Sequence, residues 1–260
     1  MRPLSLAPAS VADLSAAEVV ECAAAAGFSQ VGVRPTDVVS DVPAVAEALR
    51  RTGVELLEFE YVRIVPGPLA DEQLRTVDAA AALGARFLLV VSDDPDRGAT
   101  AAKLAALVER LAGAATTLAL EFMAFTQVRR LADAVAIARQ VPGVTVLPDP
   151  LHLVRTGDAV DELAATDPGL IGYAQLCDAP AVPAATDPAA LAEEARHRRL
   201  PPGHGSLPLA GFLAALPDGV PVSVEVQSDQ LREQLAPIER ARLLRKAAEA
   251  LLNDGSNEGG

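Results

Sequence analysis

Several short apolar runs in this chain end in an oxygen-bearing side chain. Leu118-Ala-Leu-Glu121, Val144-Thr-Val-Leu-Pro-Asp149 and Val222-Ser-Val-Glu225 each close on a carboxylate, and Tyr173-Ala-Gln175 closes on an amide. Glu58 and Glu60 lie within another apolar stretch, Asp93 and Asp94 follow Arg86–Val91, and Asp178 follows Gln175. His152 stands three residues after Asp149. A carboxylate taken out of water without a partner costs several kcal/mol, so an acid at the end of a buried run needs a compensating charge. One such acid reads as a surface residue at a frayed strand end. Glu121, Asp149, Gln175 and Glu225, on four successive runs, read as a converging set. Four oxygen donors of this kind suit a hard divalent cation, Mn²⁺ ahead of Mg²⁺, Co²⁺ or Zn²⁺, rather than a thiolate zinc site.

The elements that must carry these groups alternate as strand and helix, with glycine as punctuation. Strands are expected at Pro3–Ala7, Gln30–Val33, Val54–Tyr61, Arg86–Val91, Thr117–Glu121, Val144–Asp149, Leu170–Leu176 and Pro221–Val226. Ser15-Ala-Ala-Glu18 forms a capping box that opens the first helix, and Gly27, Gly53 and Gly84 stop the first three. Later helices are expected around 100–112, from about 128, at 158–165 and at 237–252, with two short ones between the seventh and eighth strands. Eight strand–helix units in 260 residues fit one α/β domain, a single (β/α)8 barrel over residues 1–252. The rival, an open doubly wound sheet, lacks the G-x-G-x-x-G after its first strand. In such a barrel the chemistry sits at the C-terminal ends of the strands, where the four oxygen donors fall. Residues 253–260, Asn-Asp-Gly-Ser-Asn-Glu-Gly-Gly, have nothing to bury and are expected to be a disordered tail.

Composition narrows the classes. The formal net charge is −13, which repels phosphate backbones and anionic lipid and argues against nucleic acid or membrane as partners. Half the residues are hydrophobic and only 3% aromatic, so the core is aliphatic. No run approaches the roughly 18 apolar residues of a membrane span, the N-terminal residues lack a signal-peptide apolar core, and two cysteines make no disulfide framework. These features lead us to expect a cytoplasmic protein with reduced thiols; a homodimer stays open. The one basic cluster, Arg196-His197-Arg198-Arg199, is a solvated helix end or part of a binding site.

With these residues in view, the chain resembles the xylose-isomerase-like TIM barrels, which include sugar (phosphate) isomerases and epimerases, ketose 3-epimerases, inosose dehydratase and endonuclease IV. Leu-Ala-Leu-Glu121-Phe, Asp149-Pro-Leu-His152, Gly-Tyr-Ala-Gln175-Leu-Cys-Asp178, Arg199-Leu-Pro-Pro-Gly-His204-Gly and Val-Ser-Val-Glu225-Val carry the resemblance, in order. It implies metal ligation by Glu121, Asp149, Gln175 and Glu225. It also implies an acid–base pair of Glu121 and Glu225, a substrate contact from His152, and a contact from Arg199 to a distal hydroxyl or anionic group. His204 and Glu60 are further candidate substrate contacts. Gln175 departs from the histidine that many relatives carry there, and His204 stands where an acidic residue is common. The trinuclear zinc chemistry of endonuclease IV needs more histidines than His152, His197 and His204. The implied reaction is metal-assisted, enediolate-type proton transfer on a sugar-like polyhydroxy carbonyl compound. Proton return at the other face is epimerisation and at the neighbouring carbon isomerisation, while loss of a β-hydroxyl would make the protein a dehydratase of an inosose- or dehydroshikimate-like compound. A non-catalytic binding barrel is the reading from a different class. Each side group has a plainer alternative: a core histidine for His152, a loop anchor for Arg199, packing for Cys177, and mutual pairing for Glu58, Glu60 and Arg63.

Overall fold

Alternation along the strands separates what faces the helices from what fills the barrel. In the computed structural model, which describes residues 2–254, the strands are β1 (Leu4–Leu6), β2 (Gln30–Val33), β3 (Glu55–Ile64), β4 (Phe87–Ser92), β5 (Thr117–Glu121), β6 (Val144–Leu147), β7 (Ala174–Leu176) and β8 (Val222–Val224). All pair in parallel, in the order β6-β5-β4-β3-β2-β1-β8-β7. The β6 and β7 edges meet through a parallel bridge between Val146 and Ile171 and a bond from the Gln175 N–H to the Pro148 carbonyl at 3.0 Å. The result is a nearly closed (β/α)8 barrel, as the eight strand–helix units predict.

The helices are α1 (Ala16–Ala26), α2 (Val38–Thr52), α3 (Asp71–Ala82), α4 (Arg97–Arg110), α5 (Leu131–Gln140), α6 (Pro150–Arg155), α7 (Val160–Ala164), α8 (Pro188–His197), α9 (Leu209–Ala215), α10 (Asp229–Gln234) and α11 (Pro237–Asp254). The expected capping box is present on α1, and Gly27 ends that helix at φ 87°, a left-handed conformation that costs glycine little. Helix α11 reaches Asp254, so the first two residues of the expected tail are helical; residues 255–260 lie outside the described residues. No helix is long and apolar enough to cross a membrane among the described residues.

Two local expectations are corrected. The helix expected at 158–165 is present as α7, but an unexpected short helix, α6, precedes it from Pro150, because Asp149 caps it and proline is suited to the first helical position. Val128 is buried in the loop after β5 instead of on α5; its carbonyl accepts the Met123 N–H at 3.0 Å.

Strand β5 shows the division of labour. Leu118 and Leu120 pack outward in the aliphatic layer that also holds Leu104, Leu107, Val31 and Leu244. Ala119 faces inward with Leu57, Phe87, Leu89, Val91, Met123, Leu147 and Tyr173, a separate cluster inside the barrel. Glu121, two residues beyond Ala119, therefore projects into the barrel mouth.

Candidate active site

The barrel delivers the four expected oxygen donors to one place. Glu121 ends β5, Asp149 follows β6, Gln175 sits within β7, and Glu225 follows β8 directly. All four are buried, Asp149 and Gln175 completely. The orientation that satisfies the Gln175 amide turns its nitrogen toward Glu121 Oε1 at 3.0 Å and toward Asp149 Oδ2 and Glu225 Oε2, both at 3.3 Å. One Asp149 oxygen also accepts the Leu151 N–H at 2.7 Å, which serves as the cap of α6.

Arg199 enters this group from the loop after α8. Its guanidinium reaches Asp149 Oδ2 at 2.5 Å and Glu225 Oε2 at 2.9 Å, while its Nε–H donates to the Ala195 carbonyl at 2.7 Å. It also lies 3.3 Å from the Cys177 sulfur, which packs beside Asp149. Arg199 is thus fully committed at the pocket base. One guanidinium stands against three buried carboxylates.

That imbalance sets the titration behaviour. Burial raises Glu121 well above the usual carboxylate range, and repulsion from Glu225 and Asp149 adds to it. Burial pushes Glu225 up to about 7, against the pull of Arg199. Burial opposes the charge on Asp149 as well, yet Arg199, His152 and the hydrogen bonds hold it below the usual range. His152 is pushed down to about 4 by burial, so its ring is neutral at neutral pH.

The residues fit a divalent cation. Glu121, Asp149 and His152 each offer a ligand atom within 4.8 Å of the others. His152 Nε2 is buried without a hydrogen-bond partner, 3.6 Å from Glu121 Oε1. Carboxylate oxygens with one neutral imidazole suit Zn²⁺, Mn²⁺, Mg²⁺ or Co²⁺, and the uncompensated negative charge calls for a cation. The expected ligand quartet converges, but His152, expected as a substrate contact, joins the metal-capable group, while Glu225 stands outside it beside Arg199.

Above this base is a cavity of about 210 Å³, bordered by Glu121, Glu225, His152 and Arg199. Phe125 meets the His152 ring edge-on at 5.5 Å, and Leu89, Val91 and Met123 form an apolar wall. Two expected contacts lie elsewhere. His204 is exposed and does not border the cavity, because the surrounding loop wraps the Asp178 carboxylate, which accepts the N–H groups of Gly203, Gly205 and Leu207 at 2.8–3.0 Å. Glu60 is buried beneath the rim in an ion pair with Arg34, and Arg63 pairs with Asp93, so the expected pairing among Glu58, Glu60 and Arg63 does not form. Arg34, Tyr61, Arg63 and Arg196 border the cavity. Of these, Arg196 in the basic run 196–199 and Arg63 near Glu58 and Glu60 are visible in the sequence, and Arg34 could have been found as the first residue beyond β2.

Comparison with known proteins agrees with this fold. The family model described as xylose isomerase-like TIM barrel matches residues 20–253. No curated protein matches the chain. Among solved structures, the IolI protein with a bound zinc atom is similar at TM-score 0.82 and 17% identity, with 98% of this chain and 99% of that chain covered. The Escherichia coli 3-keto-D-glucoside 4-epimerase is similar at TM-score 0.72 and 17% identity, covering 95% and 100%. A xylose isomerase-like TIM barrel/4-hydroxyphenylpyruvate dioxygenase fusion protein is similar at TM-score 0.77 and 23% identity; 97% of this chain corresponds to 44% of that longer one. With a family match spanning most of its length and eight parallel strands in a nearly closed ring, the chain belongs to the xylose isomerase-like TIM barrel family.

Proposed function

We propose that this protein is a metal-dependent isomerase or epimerase that moves a proton on the carbon beside a carbonyl of a sugar-like polyhydroxy compound. The observation that carries the reading is the pair of buried carboxyls, Glu121 and Glu225, which border one small cavity from either side of Gln175. Burial raises both, Glu225 to about 7. A carboxyl poised near neutrality can both take and return a proton, as general acid–base catalysis requires. Arg199 holds Glu225 in place and keeps it ionisable. The neutral ring of His152 faces Glu121 and can hold a substrate oxygen or a ligand position.

A divalent cation held by Glu121, Asp149 and His152 would polarise the substrate carbonyl and lower the titration of these carboxyls. Leu89, Val91 and Met123 give the cavity an apolar part to its lining. Proton removal and return then fall to the two glutamates. The similarity to the IolI protein with a bound zinc atom and to a 3-keto-D-glucoside 4-epimerase supports this choice of chemistry.

The test is solvent deuterium exchange into candidate ketoses by the metal-supplemented protein. Glu121→Gln and Glu225→Gln should each lower the exchange rate by about 100-fold or more. Undiminished exchange in both variants would remove these residues from the roles assigned here. A second reading rests on Gln175 and Arg199, which together offer donors to all three carboxylates from within the protein. If adding Mn²⁺, Mg²⁺, Co²⁺ or Zn²⁺ leaves both thermal stability and exchange unchanged, a non-catalytic binding barrel takes precedence.

A further inference from the structure

Charge is unevenly placed around the cavity. The chain has 22 basic residues against 35 acidic ones, yet the cavity is bordered by four arginines and two glutamates. Arg199 is consumed at the base, leaving Arg34, Arg63 and Arg196 at the mouth. Each of these guanidinium groups lies over an aromatic ring: Arg34 and Arg63 over Tyr61 at 5.3 and 5.5 Å, and Arg196 over Phe125 at 5.6 Å. Stacking fixes the plane of a guanidinium and leaves its N–H edge free, so less freedom is lost when an anion docks.

The three arginines are not equivalent. Arg34 is paired with Glu60 and Arg63 with Asp93. Arg196 is exposed on the last turn of α8, and no carboxylate lies within ion-pair distance of it among the described residues. An arginine forced toward a cavity in so acidic a chain, with acids available nearby, would ordinarily find a partner. Here its partner position opens onto the cavity mouth. The apolar lining residues Leu89, Val91 and Met123 offer no competing side-chain hydrogen-bond groups.

We propose that the mouth of this cavity is an anion subsite, in which Arg196, backed by the rim arginines Arg34 and Arg63, holds a carboxylate or phosphoryl group at the end of the substrate remote from the carbon that exchanges its proton. The ligand class is therefore an anionic polyhydroxy carbonyl compound instead of a neutral sugar. The planar fork of arginine matches either anion in a bidentate manner. The placement of the reacting carbon at the base rests on the acid–base reading above; the anion subsite itself rests on the arginines.

The two can be separated by calorimetric titration of the full chain with D-fructose, D-fructose 6-phosphate and 5-keto-D-gluconate, alongside deuterium exchange on the same compounds. At least one anionic probe should bind about tenfold or more tighter than fructose, and which one does so tells phosphoryl from carboxylate. Arg196→Met, on an exposed helix end, should bring that preference to within about threefold by weakening the anion far more than fructose, with the thermal midpoint checking that the variant is folded. Arg63→Met should do so more weakly, since Asp93 already shares its charge. Equal affinity for all three probes, no binding of either anion, or an undiminished preference in Arg196→Met would overturn the subsite. If the probes bind alike while exchange still depends on Glu121 and Glu225, the subsite falls and the acid–base reading stands. If the anionic preference appears and vanishes with Arg196 although no probe exchanges, the subsite stands and the acid–base reading falls.

Discussion

Arg199 divides its guanidinium between Asp149 and Glu225 and anchors its Nε to the Ala195 carbonyl. It has almost no contact with water, and burial works against its charge while the two acids sustain it. Removing one partner from a buried ion pair leaves the others uncompensated, which costs about 3–5 kcal/mol. Arg199→Met should therefore lower the urea midpoint sharply, and the spectroscopic titration of Glu225 should move upward from about 7. Arg199→Lys should recover only part of the loss, because a single ammonium cannot span two carboxylates. A midpoint that does not move in Arg199→Met would show that the site relaxes around three acids without help. The role of Arg199 at the base was not readable from the sequence, since its partners lie 50 and 26 residues away and only the closed barrel joins them. Asp149 was readable as an acid ending an apolar run, whereas its second role as the cap of α6 emerged only from the structure.

The loop between α8 and α9 is held by one carboxylate. Asp178 is buried and accepts N–H bonds from Ala179, Gly203, Gly205 and Leu207. Gly205 approaches so closely that a Cβ there would lie 2.4 Å from both the Ala179 carbonyl oxygen and Asp178 Oδ1. Leu200, next to Arg199, exchanges two backbone bonds with Asp178. Asp178→Ala should expose those amides. Hydrogen exchange at Gly203, Gly205 and Leu207 should accelerate, with a stability loss of about 2–4 kcal/mol, as expected for several bonds to a charged acceptor. Unchanged exchange would mean that the loop is held by its prolines alone. The sequence indicated a Pro/Gly-rich loop here and drew attention to His204. It missed that Asp178 organises the loop and turns His204 outward, because a carboxylate gathering main-chain N–H groups leaves no periodic trace. Strands and helices with clear periods were legible: β5 matches its expected bounds residue for residue. Elements whose ends are set by bridges, such as the short β7 and β8, were legible only as approximate positions, and α6, set by the Asp149 cap, was missed.

At the scale of the whole barrel, an acid sits beneath the site in the packed interior. Glu58, on β3, is fully buried and accepts the Ser223 hydroxyl of β8, joining strands three positions apart around the ring. Gly32 of β2 makes room for it, since a Cβ at that position would lie 2.6 Å from the Glu58 side chain. Burial first, and repulsion from Glu60 second, push Glu58 from its ordinary 4.5 up to about 8. Below about pH 4.5 the folded and unfolded chains both carry this proton, and Glu58 adds no pH dependence. Between about pH 4.5 and 8 the unfolded chain releases the proton while the folded chain retains it, so stability falls as pH rises; above about 8 both are ionised and the penalty levels off. Glu58→Gln keeps the acceptor for Ser223 without the charge. The variant should match the wild type near pH 4 and exceed it by an amount on the order of 1–3 kcal/mol at pH 8. Denaturant melts of both proteins across this range, in chelator so that Glu121 and Asp149 carry no metal in either, check it. Curves that stay parallel over the whole range would mean that Glu58 is ionised inside the barrel, and that the centre of the ring holds a compensating charge beyond Ser223.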